Sequence, residues 1–140
     1  MSCPTGNINE ARFALFAIER GWWVYTTNND GDSPADVIIF RKNRPIAIQV
    51  KTGNIYPDRD NAYGIPAAWG QKKIPYPEGS FDFLAAWLPD VGDFVFYGFS
   101  EIGGRRKLYY CPRTQEKQPG NWEVLEQFAN PAIITPQPCC

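Results

Sequence analysis

Two short apolar runs lie close together, Val37-Ile38-Ile39-Phe40 and Ile46-Ala47-Ile48-Gln49-Val50-Lys51-Thr52. β-Branched and aromatic residues dominate both, and Arg41, Lys42, Asn43, Arg44 and Pro45 supply a turn between them, a pattern that predicts a β-hairpin. On the second strand Gln49 and Lys51 are two positions apart, so they project from one face while Ile48 and Val50 project from the other. Burying an amide and an ammonium on one strand face costs several kcal/mol, roughly, unless each finds a partner. A carboxylate with a divalent cation is one such partner, and Asp36 at the start of the neighbouring strand is placed to supply it.

The pattern elsewhere is that of a mixed α/β chain. Asn7 or Asn9 caps an expected opening helix with Glu10 in its first turn, Phe13, Phe16 and Ala17 as its apolar stripe and Gly21 as its stop. Trp22 to Thr27 reads as a strand in which one of the adjacent tryptophans faces the core. Asn28 to Pro34 is rich in turn formers and leads into Asp36. From about 53 to 80 glycines and prolines interrupt every period, predicting a long loop that its aromatic content keeps ordered on the surface. Phe81 to Leu88 and Asp93 to Phe99 read as two further strands, Arg105 to Tyr110 as an edge strand, Asn121 to Phe128 as a capped helix, and the proline-rich chain from about 130 as an extended tail.

Length and composition bound this picture. A chain of 140 residues with 44% hydrophobic content is expected to form one domain spanning residues 1–140. With no apolar run of membrane-spanning length and no basic-then-apolar leader, a cytoplasmic protein without a membrane partner is expected. The four cysteines, Cys3, Cys111, Cys139 and Cys140, match neither a paired zinc-ligand spacing nor a disulfide scaffold, so reduced thiols are expected. The chain contains no histidine, which excludes Ser-His-Asp hydrolysis, zinc peptidases and His-dependent nuclease centres. A site made of carboxylate, amide and lysine survives that exclusion. The net charge of −1 runs against the basic balance usual for nucleic-acid binders, unless a local patch or a symmetric oligomer concentrates Lys and Arg on one groove.

Pro34-Ala35-Asp36, the strand after it and Gln49-Val50-Lys51 together resemble the PD-(D/E)XK, or restriction-endonuclease-like, nuclease superfamily. The spacing from Asp36 to Gln49 leaves room for a strand, a turn and a strand. Gln49 departs from the acidic residue usual at its position and gives the site one less negative charge. In that respect the chain is similar to restriction-like homing endonucleases and archaeal-type Holliday junction resolvases.

The resemblance implies a restriction-endonuclease-like core over Gly6 to about Phe99, with a mixed central sheet flanked by helices. It also implies hydrolysis of DNA phosphodiester bonds with Mg2+, or Mn2+ in its stead. Asp36, the Gln49 side-chain oxygen and the Val50 carbonyl would hold the metal, Lys51 would steady the nucleophile or the scissile phosphate, and Glu10 on the opening helix would serve a second metal or orient its water. Each residue also has a plainer reading: a turn carboxylate for Asp36, an exposed edge-strand face for Gln49 and Lys51, a helix-dipole acid for Glu10. Asp82, at the head of a strand, reads equally as an active-site acid or a partner of a structural Arg. Two basic clusters, Gln71-Lys72-Lys73 and Arg105-Arg106-Lys107, are candidate phosphate contacts, or else solvated surface. A homodimer or homotetramer is expected, since cutting two strands with one small site calls for two copies. The rival class is a catalytically inactive DNA-binding or protein-interaction module on a nuclease-like fold.

Overall fold

The computed structural model describes residues 4–27, 35–41, 44–69, 74–114 and 117–130. The opening helix, α1 (Pro4–Glu19), begins earlier than the asparagines suggested, at a proline suited to a first helical position. Asn9 is therefore no cap. It joins Phe13 and Ala17 in a stripe at i, i+4 and i+8 that is almost wholly buried. Gly21, at φ +86°, ends the helix, and the Trp22 N–H closes the turn on the Ala17 carbonyl at 3.0 Å.

Five strands form the main sheet: β1 (Trp23–Thr26), β2 (Val37–Phe40), β3 (Pro45–Thr52), β8 (Phe83–Leu88) and β9 (Asp93–Gly98), in the order β1-β2-β3-β8-β9. β3 and β8 run parallel and the other neighbours antiparallel, so the sheet is mixed, with the expected hairpin at its centre. One face carries Val37, Ile39, Ile46, Ile48 and Val50 against Phe13 and Ala17 of α1 and Leu125 and Ala129 of α3 (Glu123–Ala129). Aromatic rings fill the space between: Phe13 lies 5.3 Å from Phe94 and 5.2 Å from Trp122, centroid to centroid. Arg41, beyond β2, pairs with Glu126 and ties α3 to the hairpin. Trp22 and Trp23 divide as expected, at 3% and 66% exposed.

The segment from 53 to 80 is not the long loop that its glycines and prolines suggested. It contains β4 (Asn54–Tyr56), a 3-10 turn at Pro57–Arg59, β5 (Ala62–Pro66), β6 (Ala68–Trp69) and β7 (Ile74–Pro75). β4 and β5 combine with β10 (Lys107–Tyr110) into a second sheet of order β10-β5-β4. Tyr63, Ile65, Leu108 and Tyr110 of that sheet pack on Leu84, Ala86, Leu88 and Val95 of the main sheet. The main sheet is thus covered by helices on one face and by a small sheet on the other. A four-residue helix, α2 (Phe99–Ile102), leads from β9 toward β10, and α3 begins after Trp122, not on an Asn121 cap. The expected tail beyond 130 lies outside the described residues, as do Cys3, Cys139 and Cys140; Cys111 is a half-buried free thiol. No helix among the described residues is long and apolar enough to cross a membrane.

Candidate active site

Asp36 sits one residue ahead of β2 with its backbone held from both sides. Its N–H donates to the Ile48 carbonyl at 2.8 Å, and its own carbonyl accepts from the Thr27 N–H at 3.1 Å and the Thr27 hydroxyl at 3.2 Å. The β2–β3 register pairs Val37 with Ile48, so Asp36 stands opposite Gln49, and opposite residues of an antiparallel pair share a face. Asp36 Oδ2 accepts from Gln49 Nε2 at 2.9 Å and from the Val50 N–H at 2.9 Å. Since β2 begins only at Val37, the carboxylate stands where a further β2 backbone partner for Val50 would be.

Gln49 is 7% exposed on the central strand, which removes the edge-strand explanation for it. Lys51 follows on the same face, half-buried, with Nζ 5.6 Å from the centre of the Tyr76 ring. Burial raises the Asp36 carboxyl above its ordinary value, and the Val50 hydrogen bond and the Lys51 charge pull the other way without cancelling it. The Tyr76 hydroxyl is pushed well above its ordinary range, first by burial and then by the Asp36 charge. Asp36, Gln49, Lys51 and Tyr76 therefore form one electrostatically coupled cluster, set on the face of the main sheet that bears the second sheet.

Glu10 lies half-buried on α1, beside Asn9. The hydrogen bonds that join Asp36, Gln49 and Val50 do not include it. The end of β3 is tied to α1 through Asn9, whose Nδ2 donates to the Thr52 hydroxyl at 2.5 Å while its Oδ1 accepts from Arg12 at 2.5 Å. Arg12 in turn lies 4.4 Å over the Trp87 ring. Asp82 belongs to a different arrangement: its Oδ2 accepts from the Ala47 N–H at 2.9 Å and its own N–H donates to the Ala47 carbonyl at 2.8 Å, which fastens the start of β8 to β3. It pairs with the Ala47 backbone and, among the described residues, not with the structural arginine considered from sequence.

Among the described residues no three His, Cys, Asp or Glu side chains gather as a metal-binding group. The donors at Asp36 are of another kind. Both hydrogen bonds fall on Oδ2, leaving Oδ1 as the second carboxylate oxygen. An extended residue directs its N–H and C=O toward the same neighbouring strand, so the Val50 carbonyl faces the Asp36 side too. One carboxylate with neutral oxygens fits a hard cation that keeps much of its water, as Mg2+ does, and does not fit a soft or nitrogen-seeking metal.

Arg105, Arg106 and Lys107 are exposed at the start of β10, and Gln71, Lys72 and Lys73 lie outside the described residues. Two residues of the site region escaped the sequence reading. Tyr76 is flanked by Pro75 and Pro77 and carries no local signal of reaching the hairpin. Asn9 did carry one, its place four residues before Phe13 in the apolar stripe.

Neither a protein-family model nor a curated protein matches the sequence. Among solved structures, the chain matches that of a bacterial homing endonuclease, I-Ssp6803I, with a TM-score of 0.74 and 18% identity, over 93% of this chain and 96% of that one. The likeness runs nearly end to end, and what it shows is a shared fold.

Proposed function

We propose that this chain is a metal-dependent DNA endonuclease that hydrolyses phosphodiester bonds, cutting a specific duplex as a homing or restriction-like enzyme does. The observation that carries the proposal is the convergence on Asp36 Oδ2 of the Gln49 amide and the Val50 N–H, with Lys51 on the same face. A fold alone supports many functions, so the weight rests on this cluster. The nuclease-like fold shared with a homing endonuclease makes DNA the substrate of choice.

In this reading Asp36, the Gln49 oxygen and the Val50 carbonyl hold Mg2+ or Mn2+, and Glu10 holds a second ion or orients its water. When bound, the cation supplies Lewis-acid stabilisation of the phosphate and lowers the pKa of water. The chain's own residues do the rest. The Val50 N–H and the Gln49 amide fix the Asp36 carboxylate so that its free oxygen points in one direction, which avoids reorganisation during the reaction. Lys51 presents a positive charge to the scissile phosphate or to the attacking water, and the Tyr76 ring limits where that charge can go. Arg105, Arg106 and Lys107 contact phosphates. Two copies of the chain acting together, as a homodimer or homotetramer, would cut both strands.

The deciding experiment is cleavage of supercoiled plasmid and of a four-way junction by the purified protein, with Mg2+, with Mn2+ and with chelator. Metal-dependent nicking or linearisation that disappears in Asp36→Asn and Lys51→Ala supports the proposal; preferential cutting of the junction moves it to junction resolution. DNA binding with no hydrolysis under any metal would instead support an inactive binding module, the reading favoured by the single carboxylate at the hairpin.

A further inference from the structure

The second sheet has two unlike faces. Leu108 and Tyr110 of β10 and Tyr63 and Ile65 of β5 point inward and are buried, so the alternate positions Lys107, Tyr109 and Gly64 point outward. Gly64 pairs with Tyr109 on one side and Asn54 on the other, and the Tyr56 ring occupies the space above it: a Cβ built at Gly64 would lie 2.4 Å from that ring. The absence of a side chain at the middle of the central strand is what lets Tyr56 lie flat across the sheet, 6.2 Å from Tyr109 between centroids.

Cations are set into this aromatic surface. Lys107 Nζ lies 2.7 Å from the Tyr56 hydroxyl and within 5.1 and 6.0 Å of the two ring centres, and the Arg59 guanidinium lies 5.1 Å over Tyr109. The hydrogen bond to Tyr56 raises the Lys107 pKa, so the ammonium stays charged across the working range. Counted along residues 54–60 and 105–113, five cations (Arg59, Arg105, Arg106, Lys107, Arg113) face two carboxylates (Asp58, Asp60), a net +3 on a chain whose total is −1. The acidic total therefore conceals two basic segments about fifty residues apart in sequence, from which Arg59 and Lys107 are brought onto one face by their contacts with Tyr56 and Tyr109.

Building on the endonuclease reading, we propose that the outer face of the β4–β5–β10 sheet is the surface that docks duplex DNA, with Lys107 and Arg59 on phosphates and Tyr56 and Tyr109 against the groove wall. Rings with cations held over them are pre-ordered donors, so less side-chain freedom is lost on binding than with free lysines.

The test is duplex binding by the Asp36→Asn protein, followed by fluorescence anisotropy between 50 and 200 mM salt without divalent metal. Lys107→Ala and Arg59→Ala should each weaken binding several-fold and lower the slope of log K against log salt by about 1. Tyr109→Ala should weaken binding without changing the slope, and Arg20→Ala, at the far end of α1, should change neither. Thermal melts confirm that each variant is folded, as expected for side chains this exposed. Equal losses in Arg20→Ala and Lys107→Ala, an unchanged slope in Lys107→Ala, or stronger binding of single-stranded than duplex oligonucleotide would each overturn the proposal. Its failure is separable from failure of the nuclease reading. Salt-dependent binding through these residues with no metal-dependent cutting by the wild type defeats only the catalytic assignment, and cutting with no contribution from Lys107 or Arg59 defeats only the docking surface.

Discussion

The Gln49 side-chain amide donates to Asp36 across the β2–β3 pair at 2.9 Å, and the next residue's N–H donates to the same oxygen. An acidic residue at 49 would place a second negative charge against Asp36; the amide replaces that repulsion with a hydrogen bond. The Asp36 carboxylate is consequently both held by the hairpin and costly to it, because burial outweighs its two favourable partners.

Asp36→Asn separates the two effects. The asparagine Oδ1 can accept both bonds now made to Oδ2, and its side chain cannot ionise. For the wild type, a folded pKa raised above the unfolded 3.8 means that the group's contribution to stability is full below that value and is lost as pH rises through the folded pKa. In metal-free buffer the variant should therefore be the more stable protein at pH 7, with the gap closing toward pH 4. Its cleavage activity should fall by about a hundredfold or more. Urea unfolding of both proteins across pH 4–8 checks this, and a wild type more stable than Asp36→Asn at pH 7 would refute the assignment of burial as the dominant cause.

Asp82 should behave as a structural residue. Asp82→Ala strips the Ala47 N–H of its acceptor and should cost about 1–3 kcal/mol of unfolding free energy. Asp82→Asn keeps an oxygen in place and should recover most of that loss. Activity per folded molecule should be unchanged in both variants; a specific loss of cleavage in Asp82→Asn at full stability would return Asp82 to the active site.

How much of this was legible follows from how far apart the interacting residues are. The hairpin and the shared face of Gln49 and Lys51 depend on strand alternation and a five-residue turn, so local pattern suffices to find them. Of the second sheet, β10 alternates and was legible as an edge strand, whereas β4 and β5 are strands of three and five residues with Gly64 at the centre of β5 and Ala62, Tyr63, Gly64 and Ile65 all buried, so they show no alternation to detect. Asn9 resembled a cap because a short polar residue ahead of an apolar stripe usually is one, and its partner Thr52 lies 43 residues away. Tyr76, just beyond β7, reaches Lys51 through tertiary packing, which no local window of sequence contains.

Tyr76 offers a test of the cluster's electrostatics. Tyr76→Phe keeps the ring beside Lys51 and should leave cleavage close to wild type. Tyr76→Leu removes the ring and should lower the rate roughly 2- to 30-fold, the range corresponding to a cation–π contact. In the metal-free protein the titration of Asp36 should move as well. Burial holds its carboxyl above the ordinary carboxylate value. Thinning the cover over the site admits water, so the carboxyl titration followed by NMR should shift to lower pH in Tyr76→Leu and stay in place in Tyr76→Phe. A rate loss with no movement of that titration would mean that Tyr76 acts on packing alone.

Asn9 is the point where α1 meets β3, and its replacement should show whether that link is structural or functional. At 2% exposure the amide satisfies both Thr52 and Arg12, so Asn9→Ala takes a partner from Thr52 at the end of β3 and from Arg12 on α1 and should destabilise the fold by about 1–3 kcal/mol. Asn9→Asp still accepts from Arg12 but cannot donate to Thr52 when ionised, and it places a charge at a buried position. The double variant Asn9→Ala, Thr52→Val removes both ends of the first bond and should lose less than the sum of the two single changes, a coupling of about 0.5–1.5 kcal/mol measured by urea denaturation. If the losses add, the bond contributes nothing of its own and the burial of Asn9 is only a consequence of the helix stripe. If they couple and cleavage falls in step, the position of Lys51 is set from α1, one residue away through Thr52.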